Sequence, residues 1–284
     1  MIIAEKLLAY PIPEIRQTLR WQDVALYNLS IGLGQDPMDL RQLPFTYEPG
    51  LQAMPSMAVV LGYPGFWLKA PDTGVDWVRV VHGEQSLTLH RPLPTSGEII
   101  GTSRVTGLVD RGHGKGALIY SERVIRDAMT GEKLATVEMT TFARGDGGFG
   151  GAAGLVKAPH PEPEGTPHIT LDLPTRPEQA AWYRLNGDHN PLHIDPGVAT
   201  KAGFPRPILH GLCTFGVVCH ALMQSLCDYG TARFGGMDLR FSSPVYPGET
   251  IRTEIWHRPE GATFRARVVE RDVVVVSNGA FRFA

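Results

Sequence analysis

Pro191 stands between Asp188 and His193 in the stretch YRLNGDHNPLHIDPGVATKAGFPRPILHG, Tyr183 to Gly211, and it prevents one continuous helix from carrying both. Its ring clashes with the preceding turn, it has no amide hydrogen, and the residue before it is held out of the helical region. Asp188, Asn190 and His193 are therefore expected to project from one tight loop, offering a carboxylate, an amide and an imidazole to one small volume. Such a set can activate a water molecule. Asx residues beside glycine and proline are also ordinary turn formers, and the loop alone leaves both readings open. The next segment narrows the choice. After Ile208-Leu209-His210-Gly211 the chain enters LCTFGVVCHALMQSL, where Leu212, Phe215, Cys219, Leu222 and Leu226 recur at helical spacing up to Gly230, the expected cap. A buried helix thus begins where the polar loop ends. Its free first-turn amides and positive dipole end suit a carbonyl oxygen that becomes negative during reaction.

The other segments supply strands and a faint internal repeat. Val78 to Leu89, Gly97 to Val109, Ala117 to Arg126 and Lys133 to Phe142 read as strands, the last two joined at Gly131. From Gly235 onward the alternation returns in MDLRFSSPVYPG, ETIRTEIWHR, ATFRARVVERD and VVVVSNGAFRFA. Asp23 to Leu33 can be laid over Gln179 to His189, with Tyr27 opposite Tyr183 and Gly32 opposite Asp188. HRPLPTSGEI likewise mirrors SSPVYPGETI, so the order is the same in both halves, as after a duplication. Only the second half carries the acid/base residues. Where the first half should have its own long helix, Thr46 to Gly65 is short and interrupted by Pro64 and Gly65. The glycine-rich run Gly145 to Gly154 and the prolines after it mark the connection, with a boundary near residue 158.

With 284 residues, of which 43% are apolar, the chain can bury one large core or two ordinary ones. A net charge of −2 gives no basic excess for nucleic acid. Cys213, Cys219 and Cys227 all lie in or beside the apolar helix and read as reduced, buried thiols. The sequence offers no secretory signal, no membrane-spanning stretch and no Ser-Lys-Leu type ending, which leads us to expect a cytoplasmic protein.

GDHNPLHID followed by AGFPRPILHG resembles the signature of the MaoC-like, or type 2, enoyl-CoA hydratases, the (R)-specific branch. YNLSIGLGQDPMDLRQLPFTYE, VHGEQSLTLHRPLPTSGEI, GDGGFGG and RFSSPVYPGETI are similar to family segments in the family's order, so the likeness covers essentially the whole chain. It implies an α+β double hot dog fold, two antiparallel sheets each wrapping a helix, the N-terminal helix shortened. Residues 1–158 would form a hot dog domain that accommodates acyl chain and CoA, and 159–284 the domain with the hydratase motif.

The resemblance also implies roles. Asp188 and His193 would hold a water and move its proton, Asn190 would orient that pair by hydrogen bonding, and the Gly211 amide would stabilise an enolate oxygen, giving a (3R)-hydroxyacyl-CoA product. His82, Gly83, Arg111 and Phe241 match segments that line the CoA and acyl path. His210 is expected to shape its turn and His189 to face solvent. No cofactor is implied beyond the CoA of the substrate, and no metal. The expected partner is an acyl-CoA thioester, without nucleic acid or membrane, in a homodimer. Three alternatives stay open from sequence: a hot dog thioesterase, a hydratase or dehydratase of branched, dicarboxylic or sterol-side-chain CoA esters, and a silent acyl-CoA-binding protein.

Overall fold

The computed structural model describes residues 1–150 and 156–284, so Gly151 to Gly154 of the glycine-rich connection lie outside the described residues. Among the described residues the strands are β1 (Ile15–Leu19), β2 (Val80–Leu89), β3 (Gly97–Asp110), β4 (Ala117–Asp127) and β5 (Lys133–Ala143), then β6 (Ile169–Pro174), β7 (Phe234–Phe241), β8 (Thr250–Arg258), β9 (Gly261–Val268) and β10 (Val273–Phe283). They lie in the order β1-β3-β4-β5-β2-β7-β10-β9-β8-β6. Outward from the middle, each half runs through its second, fifth, fourth, third and first strand. The topology therefore repeats, in agreement with the duplication read from the sequence.

The two expected sheets are joined. β2 and β7 pair antiparallel from Glu84 opposite Arg240 to Thr88 opposite Gly236, making one continuous antiparallel sheet. Left apart, each half-sheet would present an edge of unpaired N–H and C=O groups, and the pairing covers both.

The helices are α1 (Ala4–Leu8), α2 (Trp21–Ser30), α3 (Gln179–Tyr183), α4 (Pro196–Lys201) and α5 (Gly211–Cys227). In α5, residues 213 to 223 are buried without a break, as fits a helix apolar on all sides and enclosed by its sheet. It stops earlier than expected: Asp228 and Tyr229 take left-handed φ values of 47° and 59°, and the Tyr229 amide donates to the Met223 carbonyl, whereas Gly230 has φ −72° and is not the cap. α2 and α3 bring the two duplicated tyrosines together, Tyr27 and Tyr183 being fully buried with ring centroids 6.1 Å apart.

The counterpart of α5 in the first half is a five-residue 3-10 helix, Pro55–Val59. The chain after it lies directly on β3, with Gly62 at φ +58° against Gly101. A Cβ on Gly101 would stand 2.3 Å from the Gly62 carbonyl oxygen. Gly101→Ala must therefore lift the Gly62 backbone off the sheet, and urea unfolding is expected to show a loss of about 1–3 kcal/mol. An unchanged midpoint would mean that the segment moves freely.

Candidate active site

α3 runs into a 3-10 turn, Arg184–Asn186, after which Gly187 takes φ +113°, a left-handed value a side chain would resist. The chain turns there and presents Asp188. Asn190 then caps the 3-10 turn Pro191–His193, its Oδ1 accepting from the Leu192 amide at 3.1 Å. Asp195 caps α4 by accepting from the amides of Gly197 and Val198 at 2.7 and 3.2 Å. The loop is tied to the first half by Asn186 Nδ2, which donates to Ser30 Oγ at 3.0 Å.

These turns bring Asp188, His193 and His210 together, with one polar atom from each within 4.8 Å of the others. His193 is 8% exposed and donates its Nδ1 hydrogen to the Ile208 carbonyl at 2.9 Å, which leaves the Nε2 lone pair free. Burial lowers its pKa, so the ring is neutral near pH 7 and able to accept a proton. His210 stacks on it with centroids 3.8 Å apart, and its Nε2 hydrogen goes to the Asp188 carbonyl at 3.3 Å. Burial, then the neighbouring His193, pull His210 down to about 4. The spacing of the three groups also suits a cation held by one ligand atom from each.

His210 is the N-cap of α5, and Gly211 is its first residue, whose amide has no partner within the helix. Phe241, the last residue of β7, covers this end: a Cβ on Gly211 would stand 3.5 Å from its ring. His82 on β2 packs edge-on against Phe241 with centroids 4.9 Å apart. Its Nε2 is buried without a hydrogen-bond partner, and burial holds its pKa at about 4 against an opposing contribution from Asp188. Asp188, His193, Gly211, His82 and Phe241 thus gather on the inner side of the β2–β7 junction.

Other candidates behave differently. The Asn190 side chain is used as a turn cap, and the contact that orients Asp188 comes from the Asn190 backbone, whose amide donates to Asp188 Oδ1 at 3.1 Å. Gly83 sits at a bulge between His82 and Glu84, close to the Thr140 carbonyl, and shapes the strand. Arg111 is exposed on the β3–β4 turn with its guanidinium 5.5 Å from the Phe142 ring centre. The amides of Gly148 and Gly150, with that of Gly112, converge on the Asp110 carboxylate at 2.7 to 2.9 Å, so these donors are already engaged by the chain itself. His189 is exposed, as expected.

Two residues escaped the sequence reading. Burial, then Asp188, push the Tyr63 phenol up to about 12, and the buried Arg123 guanidinium lies 5.4 Å from its ring centre. The available signal was Arg123 itself, a charge at a strand position whose neighbours Ile119 and Ile125 are apolar and buried.

Two family models match the chain, the MaoC like domain over residues 158–279 and the MFE-2 hydratase 2 N-terminal domain over residues 18–145. The chain belongs to the MaoC-like hydratase 2 family. Within that family, it is 39% identical over 272 residues to 3-hydroxyacyl-thioester dehydratase Y of Mycobacterium tuberculosis, covering 92% of each chain. It is 36% identical over 295 residues to the peroxisomal enoyl-CoA hydratase 2 of Arabidopsis thaliana, covering 96% of this chain and 93% of the relative. The crystal structure of a MaoC-like dehydratase from Phytophthora capsici superposes with a TM-score of 0.88 at 34% identity, over 100% of this chain and 98% of that one.

The buried imidazoles make stability depend on pH. His82, His210 and His220 have folded pKa values of about 4, against about 6.5 in the unfolded chain. Between these values the unfolded state binds more protons, so this stabilisation is complete above about pH 6.5 and is lost as pH falls towards about 4. Calorimetry is expected to show Tm dropping between about pH 7 and 5. A flat Tm over that range would contradict neutral burial of these rings.

Proposed function

We propose that the protein is a hydro-lyase that adds water reversibly to trans-2-enoyl-CoA, giving (3R)-hydroxyacyl-CoA, in fatty acid or related acyl-CoA metabolism. One observation carries this reading: a neutral His193 with a free Nε2 and the Asp188 carboxylate lie beside the unpaired Gly211 amide at the N-terminus of α5. The thioester oxygen accepts from that amide, which polarises the enoyl group so that C3 becomes electrophilic. A water held between Asp188 and His193 gives up a proton as its oxygen bonds to C3. The negative charge that reaches the thioester oxygen is stabilised by the amide and the helix dipole, worth on the order of 3 kcal/mol for one such donor. The same pair returns a proton to C2 on the same face, and the reverse sequence is dehydration.

His210 acts as a positioning residue, holding the Asp188 carbonyl and stacking on His193. His82 and Phe241 line the path to the acyl group, and exposed Arg111 is the cation of this set available to a CoA phosphate. The reaction needs no resident metal, nucleotide or flavin. We assign acyl and CoA accommodation to residues 1–158 and catalysis to 159–284. Among the described residues no helix is long and apolar enough to cross a membrane. Cytoplasmic residence and a homodimer are further parts of the proposal, drawn from the sequence resemblance.

The test follows ultraviolet absorbance of trans-2-enoyl-CoA esters from crotonyl to decenoyl, with chiral analysis of the product. Absorbance loss giving the (3R)-alcohol without free CoA is expected. Asp188→Ala and His193→Ala should each lower kcat by about a hundredfold or more. Release of free thiol would favour a thioesterase, and unaltered rates in both variants would remove the water-activating role.

A further inference from the structure

In the repeated topology β4 of the first half corresponds to β9 of the second, each the fourth strand of its half. The face of β9 beneath α5 carries Ala262, Phe264, Ala266 and Val268, all buried in the main core. The matching face of β4 carries Ile119, Ser121, Arg123 and Ile125. Ile125 belongs to the main core and Ile119 to a separate, smaller apolar cluster, so Ser121 and Arg123 lie in the gap between the two. Ser103, opposite Arg123 on β3, extends this polar strip. The strip lies on the sheet whose own helix is only the short turn Pro55–Val59.

Arg123 is 9% exposed. Its Nη2 donates to the Val59 carbonyl at 2.6 Å, while Nε is buried without a partner. Among the described residues no carboxylate pairs with it, and its one charge-related neighbour is Tyr63. Burial lowers its pKa to about 10, which leaves the group cationic at neutral pH. A buried cation without a counter-charge is unfavourable, and a fold that merely needed volume here would gain by an aliphatic residue. Tyr63 stands beside this cation, its ring centre 5.4 Å from the guanidinium carbon, and the charge of Asp188 also acts on its phenol. Its phenol is raised by burial and by Asp188 and lowered by Arg123, so it feels both charges, and with 40% of its surface exposed it marks an opening to solvent.

We propose that Arg123 binds a carboxylate at the far end of the acyl chain, so that the preferred substrates are 2-enoyl-CoA esters of dicarboxylic acids. This deepens the hydratase reading and rests on it. The thioester end lies at Gly211, the chain runs past Tyr63 along the polar strip, and the terminal carboxylate accepts from the unpartnered Nε–H of Arg123.

The test compares kcat/KM for trans-hex-2-enoyl-CoA with hex-2-enedioyl-CoA, and for trans-dec-2-enoyl-CoA with dec-2-enedioyl-CoA, in wild type and Arg123→Met. In at least one pair wild type should favour the dicarboxylic ester by about tenfold or more, mainly through KM, and Arg123→Met should abolish that ratio. The ratio is internal to each variant, so a partly misfolded preparation lowers both rates and leaves it intact. A second measurement needs no variant: saturated hexanedioyl- or decanedioyl-CoA should inhibit wild type competitively at a concentration about tenfold below that of its monocarboxylic counterpart. Equal ratios in wild type, equal inhibition, or a preference that survives Arg123→Met would each overturn the proposal while leaving the hydratase reading intact. Failure of wild type to hydrate any of the four esters would instead overturn the hydratase reading, and this proposal with it.

Discussion

At the half-buried N-terminus of α5 the Cys213 and Thr214 amides donate to the His210 carbonyl, which leaves those of Gly211 and Leu212 to be met from outside the helix. That constraint couples the two halves. α5 can sit where it does because Gly216 lets α2 approach closely: a Cβ there would stand 2.4 Å from Ile31 Cγ2 and 3.1 Å from the Tyr27 hydroxyl. Cys213 Sγ donates to the Ser30 carbonyl at 3.4 Å, and Asn186 reaches Ser30 Oγ from the Asp188 loop. Helix end, loop and first half are therefore held in one register. In an interior of low dielectric an amide fixed in this way polarises a bound oxygen more strongly than one free to relax into water.

Local chemistry in the sequence revealed the centre of the site. Pro191 split the loop, glycine and Asx residues made its turns, and the all-apolar run after Gly211 announced a buried helix. The repeat was legible because its order survived, and the strand topology agrees with it. What could not be read depends on through-space partners. The β2–β7 pairing joins strands about 150 residues apart, and nothing local specifies a partner at that distance. That Asn190 reaches Asp188 through its backbone amide was not legible for a related reason. Its side chain can satisfy the nearer Leu192 amide, and such short-range capping competes with longer reach. The glycine-rich segment was left without a binding role, and its described part turns to Asp110, an internal anion whose neighbourhood only the folded hairpin reveals.

Duplication followed by loss of one helix explains why the halves differ in chemistry. A sheet face under a long helix gains from every apolar side chain it buries, roughly 25 cal/mol for each Å² removed from water, and β9 is apolar throughout on that face. Under a five-residue turn there is less surface to bury against, and the pressure to keep each inward position apolar relaxes. β4 departs from apolar alternation at Ser121 and Arg123, between the main core that both halves share and the smaller cluster of the first half. That face meets α5 only through the Pro55–Val59 turn, whose Val59 carbonyl accepts from Arg123. On the proposed division of roles, the second half keeps the reaction constant while the first changes what it is performed on. The price of that freedom is a buried guanidinium that the chain itself does not neutralise. The Tyr63 ring centre stands 5.4 Å from that guanidinium and 40% of the residue is exposed, so on our proposal a partner from outside the chain arrives beside it.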